Sequence, residues 1–179
     1  MTDARDPGWR LVGTTDAAPL VRLRFLFTAF LLSPVTFLLA LWFLIEPEDQ
    51  WRGDLAPDWA LWILSAVTGA SLLGAGWARG RALSGTTAEA LYRSYYTRFL
   101  LGIALAESAA LLGVVIAFAT NRLWPYLVCL AASLAGFAMM APTARNIHRD
   151  EERLQAVGSP VSVWDALTLP PDRSASGTP

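Results

Sequence analysis

Four apolar stretches, each long enough for a membrane-spanning helix, constrain this chain more than any other feature of its sequence. A helix needs about 20 mostly apolar residues to cross a bilayer core about 30 Å thick. An amphipathic helix of a soluble protein would also show a polar stripe at a period of about 3.6 residues, and these stretches show none. The pattern predicts an all-α fold, an integral membrane bundle of four transmembrane helices spanning residues 25–45, 59–78, 99–119 and 123–142.

The composition agrees with a lipid environment. Hydrophobic residues make up 54% of the chain and charged residues 16%, whereas soluble domains carry about 25% charged residues. The net charge of −1 disfavours nucleic-acid binding. A single cysteine, Cys129, excludes a disulfide scaffold. We therefore expect membrane lipid to be the main partner of the chain.

Arginine predicts the orientation, because the chain contains no lysine. The first and third connections carry one arginine each, Arg52 and Arg122. By the positive-inside rule, both termini are expected in the cytoplasm. Arginine without lysine is also typical of a GC-rich genome, so we expect a multi-pass protein of a bacterial plasma membrane. The remaining arginines lie in the N-terminal arm, the second connection and the C-terminal tail: Arg5, Arg10, Arg22, Arg24, Arg79, Arg81, Arg93, Arg98, Arg145, Arg149, Arg153 and Arg173.

Three regions are predicted along the chain. Residues 1–18 form a flexible cytoplasmic arm, residues 19–142 form the transmembrane domain, and residues 143–179 form a cytoplasmic tail. Thr86-Thr87-Ala88-Glu89 has the spacing of a capping box, which places the start of the third helix near Thr87.

The tail is predicted to contain a short amphipathic helix over 143–157, followed by disorder in a segment rich in Pro, Gly and Ser. Trp164 and Leu167 form an isolated apolar patch in that segment. We interpret the patch as a loose contact with the membrane surface, and the alternative is a docking peptide for a protein partner.

Small side chains predict where the helices approach one another, because helices in lipid associate through close backbone contacts. The third stretch carries such residues on one narrow stripe, and the second carries a less regular line. Two such faces joined by one connection predict an antiparallel hairpin. The helix-packing residues are Gly102, Ala106 and Gly113 on the third stretch, and Ser65, Gly69 and Gly76 on the second.

Glu107 is the one acidic or basic side chain within the four stretches. It lies eight residues past Phe99, hence about 12 Å below the cytoplasmic boundary. An ionised carboxylate at that depth costs several kcal/mol, so we expect Glu107 to be protonated or paired. It is the candidate proton-binding residue, and the alternative is a hydrogen-bond clamp between helices. Hydroxyls at a similar depth provide its candidate partners, Ser33, Ser71 and Ser133.

Part of the chain resembles a known family. Gly74-Ala75-Gly76, a basic connection, and the segment Leu105-Ala106-Glu107-Ser108-Ala109 resemble the hairpin of the ATP synthase proteolipid, the c subunit. The resemblance implies that Glu107 corresponds to the proton carrier, and that Gly74 and Gly76 belong to a glycine-rich face. The Arg-Gln-Pro signature of the proteolipid loop is absent, and two further stretches flank the hairpin. The whole chain resembles small four-span bacterial membrane proteins of unassigned activity.

Two functions remain open. The first is a non-enzymatic membrane protein, an accessory or assembly subunit of a membrane complex. The second is a proton- or cation-coupled transporter or channel subunit built around Glu107, which would require an oligomer. We expect no enzymatic activity, no cofactor and no metal site. His148, the only histidine, lies in a charged tail segment, and no paired cysteines or glycine-rich phosphate loop accompany it.

Overall fold

The structure is a computed structural model that describes residues 18–45 and 58–168. Over these ranges it contains no strand and is 85% helical, which confirms the all-α prediction there. Residues 1–17 and 46–57, with most of the predicted arm and of the first connection, lie outside them. The helices of this part of the chain are α1 (Pro19–Leu44), α2 (Asp58–Gly80), α3 (Ala88–Thr120), α4 (Trp124–Met140), α5 (Ala144–Ala156) and α6 (Val163–Thr168).

The helices α1, α2 and α3 are long and apolar enough to cross a membrane. The fourth predicted span is less clear-cut. Helix α4 has 17 residues, or about 25 Å. It passes the same test only together with α5, from which it is bent by 55°. Helix α4 ends before Pro142, since the residue preceding a proline is disfavoured in a helix.

The start of α3 agrees with its local sequence signal. The hydroxyl of Thr87 accepts a hydrogen bond from the backbone N–H of Ala90 at 3.2 Å, as an N-cap does. The cap is thus Thr87, one residue later than the capping-box spacing implied. The carboxylate of Glu89 accepts instead from Arg93 on the next turn, at 2.7 Å.

The far end of α3 closes in a Schellman motif, which requires a left-handed residue just after the helix. Asn121 supplies it with φ of 50°. The backbone N–H of Arg122 then donates to the carbonyl of Ala117 at 3.0 Å. This geometry produces the tight turn into α4. The end of α5 repeats it, with Gly158 at φ of 76°.

Contacts divide the chain into two units. Of the described residues, unit 1 comprises 18–28, 81–99 and 141–168, and unit 2 comprises 29–45, 58–80 and 100–140. In unit 2, one buried cluster joins α1, α3 and α4 through Leu41, Ile45, Ala110, Ala117, Leu123 and Tyr126. The hydroxyl of Tyr126 also donates to the carbonyl of Pro34 at 2.5 Å. A second cluster joins α2, α3 and α4 through Ala60, Leu64, Ile116 and Cys129.

Unit 1 contains α5 and α6, which contact each other. Thr143 caps α5 by accepting from the N–H of Asn146 at 3.3 Å. Helix α5 corresponds to the amphipathic helix expected over 143–157, but α6 lies where disorder was expected. The sequence of α6 explains the difference, because it turns apolar side chains into the interior of unit 1: Val163, Trp164, Ala166 and Leu167 are buried.

Candidate functional site

Glu107 lies in unit 2, on the part of α3 that faces partly outward. Its side chain is half-buried, between buried Ile103 and Ala110 on one side and exposed Ala104 and Leu111 on the other. Among residues 18–45 and 58–168, no side chain or backbone group forms a hydrogen bond or ion pair with the carboxylate. The residue therefore stands at the edge between the interior of unit 2 and its outer surface.

None of the three candidate serines bonds to Glu107. The hydroxyl of Ser71 donates to the backbone carbonyl of Leu105 at 2.8 Å, which ties α2 to α3. Ser133 is fully buried on α4, and its hydroxyl has no hydrogen-bond partner among the described residues. Ser33 is half-buried on α1. The sequence predicted these partners from their depth alone, which puts the three hydroxyls level with Glu107. The rotation of α2 about its axis turns the Ser71 hydroxyl toward the carbonyl of Leu105 instead.

The small-residue stripe of α3 packs chiefly on α4. A Cβ atom added at Gly113 would lie 2.5 Å from Cβ of Cys129, and one added at Gly102 would lie 2.5 Å from Cε of Met140. Opposite Ala106, a Cβ atom added at Gly136 would lie 2.7 Å from the alanine Cβ. At Gly113 and Gly136 the two helices approach within the space that a methyl group would fill, whereas at Gly102 the flexible end of Met140 fills that space.

The expected small-residue line of α2 lies on a different face from the one that packs. No atom of the described part of the chain lies within 4 Å of a Cβ atom added at Gly69 or Gly76, and Ser65 is exposed. The buried residues of α2 are Ala60, Leu64, Ser71, Ala75 and Ala78. Contacts of Ser71 and Gly74 with Leu105 join α2 to α3 in place of the expected line.

A buried ion pair connects α3 to α5 within unit 1. The guanidinium of Arg98 donates to Oδ2 of Asp150, and the two side chains are 7% and 1% exposed. The guanidinium carbon of Arg98 also lies 5.2 Å from the centroid of the Tyr95 ring. The second carboxylate oxygen of Asp150 has no hydrogen-bond partner among the described residues. Arg98 and Asp150 are thus both buried, and the ion pair between them is their direct contact with an opposite charge.

Arginine 24 is a further buried cation of unit 1. In the sequence Arg24 served only to predict the orientation, but its side chain is 1% exposed. Its Nε donates to the carbonyl of Pro142 at 3.2 Å. The start of α1 and the start of the tail are therefore joined through a charged side chain.

The apolar patch of the tail is part of the interior of unit 1. Trp164 is 3% exposed and Leu167 is fully buried. The Trp164 ring lies edge-on to the His148 ring at 5.7 Å, and the carboxylate of Glu151 accepts from the N–H of Val163 at 2.6 Å. These contacts dock α6 onto α5, so neither apolar residue is presented to a partner or a membrane in this conformation.

A cleft of 730 Å³ lies beside α3 in unit 1, where the 81–87 connection meets the first turns of the helix. In the sequence, the arginines of this region indicate only the topology. The cleft could not be predicted from them, since the fold of the connection determines it. Of the described residues that line it, none carries a carboxylate. The side chains with charged or hydroxyl groups along its wall are Arg81, Ser84, Thr86, Arg93, Ser94, Thr97 and Arg98.

Metal-ligating side chains do not gather in the described ranges, where no group of three or more His, Cys, Asp or Glu is placed to hold an ion. Comparison of the chain with protein-family models, with curated proteins and with solved structures finds no match. None of these comparisons links residues 74–119 to the proteolipid hairpin. Over residues 18–45 and 58–168 the protein is all-helical, with three helices apolar enough to cross a membrane, or four if α4 and α5 form one bent span.

Proposed function

We propose that this chain is a small, non-enzymatic integral membrane protein that acts as an accessory or assembly subunit of a membrane complex. The observation that carries the proposal is the outer surface of the apolar helices. Phe43, Trp62 and Leu73 are 78%, 77% and 77% exposed, and many other large apolar residues accompany them. In water, an exposed apolar surface of this kind is unfavourable unless a membrane or a partner covers it. Lipid covers all of it at once.

The arginine distribution supports insertion in a bacterial plasma membrane with α5 on the cytoplasmic side. The outer face of α5 carries charges of both signs, with Arg145, Arg149, Glu152 and Arg153 exposed. A face of mixed charge is suited to a protein partner, because complementary charges determine which partner docks and in which register.

Two measurements test the proposal. Resistance to extraction by alkaline carbonate tests membrane insertion, and reporter tags at both ends test topology. We expect a carbonate-resistant protein with both tags in the cytoplasm. A protein that is monodisperse in detergent-free buffer contradicts the membrane assignment, and tags in opposite compartments contradict the orientation.

The accessory role is tested by crosslinking in native membranes. We expect a stoichiometric partner that is lost in Arg145→Glu/Arg149→Glu and retained in Arg93→Glu, an exposed site outside α5. Equal capture by both variants would contradict a role for the α5 face.

Glu107 supports a second candidate function, a proton- or cation-coupled subunit. A hydrogen-bond clamp would give the carboxylate a partner, whereas none of the described residues bonds to it. Its place at the edge of an outer face suits contact with a second chain, as an oligomeric path requires. Proton-linked flux in proteoliposomes should fall in Glu107→Gln and persist in Glu89→Gln, a matched change at an exposed residue of the same helix. Unchanged flux in Glu107→Gln eliminates this candidate.

A further inference from the structure

The cleft beside α3 has a defined wall rather than being a gap beneath a loose loop. The backbone N–H of Ser84 donates to the hydroxyl of Ser94 at 3.2 Å, which fixes the 81–87 connection to the helix. At Gly85, an added Cβ atom would lie 2.5 Å from the backbone nitrogen of Leu91. Backbone therefore packs directly on backbone there, and only glycine permits that approach.

Three arginines line this cleft: Arg81, Arg93 and Arg98. Arg98 is held in place by its buried contact with Asp150. Arg93 bonds to Glu89, but the two side chains are 78% and 68% exposed. An exposed pair of this kind contributes little, because water and salt screen it. Arg93 is therefore able to exchange Glu89 for an anion that offers more than one oxygen.

Neutral donors complete the wall. Four residues that carry hydroxyl groups also line the cleft: Ser84, Thr86, Ser94 and Thr97. The first turn of α3 lies beside them, where backbone N–H groups and the helix dipole favour negative charge. Guanidinium forks and hydroxyls together match the several acceptor oxygens of a phosphate group.

We propose that this cleft binds a phosphate-bearing anion. Its source is either the headgroup of an anionic phospholipid or a soluble phosphate compound, since both present the same oxygens. Arg98 directly precedes Phe99, where the apolar stretch of α3 begins. The cleft thus lies at headgroup level if the chain is inserted as proposed above, so the lipid source rests on the proposed function and the phosphate chemistry does not.

The test uses the full chain in an uncharged detergent, which does not require native insertion. Short-chain phosphatidylglycerol and inorganic phosphate are titrated separately, with short-chain phosphatidylcholine as the zwitterionic reference, and binding is measured by calorimetry. The cleft variant is Arg81→Gln/Arg93→Gln. Its matched control is Arg145→Gln/Arg149→Gln, which removes the same charge from exposed sites of unit 1 outside the cleft.

We expect saturable binding of phosphatidylglycerol or of phosphate that weakens at least about tenfold in the cleft variant and less than about twofold in the control. Binding of phosphatidylglycerol without binding of inorganic phosphate identifies a lipid headgroup as the source of the anion. Binding of inorganic phosphate in addition to phosphatidylglycerol identifies a soluble phosphate compound as the ligand. Gly85→Ala should weaken the same binding, because its methyl group displaces the connection from α3.

Absence of saturable binding by either anion overturns the proposal. An equal loss in the cleft variant and in the control also overturns it, because diffuse positive charge then explains the binding. Carbonate extraction reports separately on membrane insertion, so failure of that proposal is recognised independently.

Discussion

Breaking the buried ion pair of unit 1 should release α5 from α3. In Asp150→Ala the guanidinium of Arg98 loses its acidic partner while 7% exposed. Removing one partner of a buried pair costs about 3–5 kcal/mol, because the remaining charge is left without compensation. Since about 1.4 kcal/mol changes an equilibrium constant tenfold, the opening equilibrium of α5 should rise by roughly two to three and a half orders of magnitude. The exposed pair of Arg93 and Glu89 provides the comparison, as removing it costs only about 0–1 kcal/mol.

Amide hydrogen exchange of the detergent-solubilised full chain measures this opening directly. Protection across Ala144–Ala156 should collapse in Asp150→Ala and change little in Glu89→Ala, while the amides of α4 report on unit 2 in the same experiment. Arg98→Met/Asp150→Leu should recover most of the loss, because an apolar pair of similar volume avoids the cost of burying charge. Similar protection in Asp150→Ala and Glu89→Ala would refute the reasoning.

Three further changes test helix contacts by thermal unfolding in detergent. Gly113→Ala should lower the free energy of unfolding by about 1–3 kcal/mol, because its methyl group overpacks against α4. Gly69→Ala, with open space around it, should leave that free energy unchanged or raise it by up to about 1 kcal/mol. Equal effects of the two changes would contradict the contact between Gly113 and α4. Thr87→Ala should lower the free energy of unfolding by about 0.5–2 kcal/mol through loss of the α3 cap, and Thr86→Ala should lower it much less. A larger loss in Thr86→Ala would instead identify Thr86 as the N-cap, as the capping-box spacing implied. Tyr126→Phe should cost about 0.5–1.5 kcal/mol by removing the hydrogen bond from α4 to α1, and an unchanged midpoint would contradict that value.

The sequence predicted the helices well because their signals are local. Long apolar stretches, the threonines before α3 and the Asn121 turn each act within a few residues of the position they determine. The stripe through Gly102, Ala106 and Gly113 was also recognisable, since one helix face carries it. Its partner, α4, was not recognised, because the small residues of α2 made α2 the expected partner. The face of α2 that is buried contains Ser71 and Ala75 rather than the expected line.

The polar features of unit 1 depend on contacts distant in sequence. Arg98 and Asp150 are separated by 52 positions, and each alone resembles an ordinary surface charge. Helix α6 illustrates the same limit, since its flanking Pro, Gly and Ser residues indicated disorder while Trp164 and Leu167 gain burial against α5. The cleft of Arg81 and Arg93 arises from a glycine contact, which a charge count does not reveal.

If the chain is inserted in a bilayer as proposed, the short length of α4 has a consequence for the surrounding lipids. In a bilayer, a helix of 17 residues spans about 25 Å, less than the hydrocarbon thickness of about 30 Å. A longer helix such as α3 adapts by tilting or by extending beyond the core, but a short one draws the bilayer thinner at a cost of fractions of a kcal/mol per Å. In the proposed arrangement, this hydrophobic mismatch favours phospholipids with short acyl chains, so α4 rather than the longer α3 determines the membrane thickness that suits the protein best.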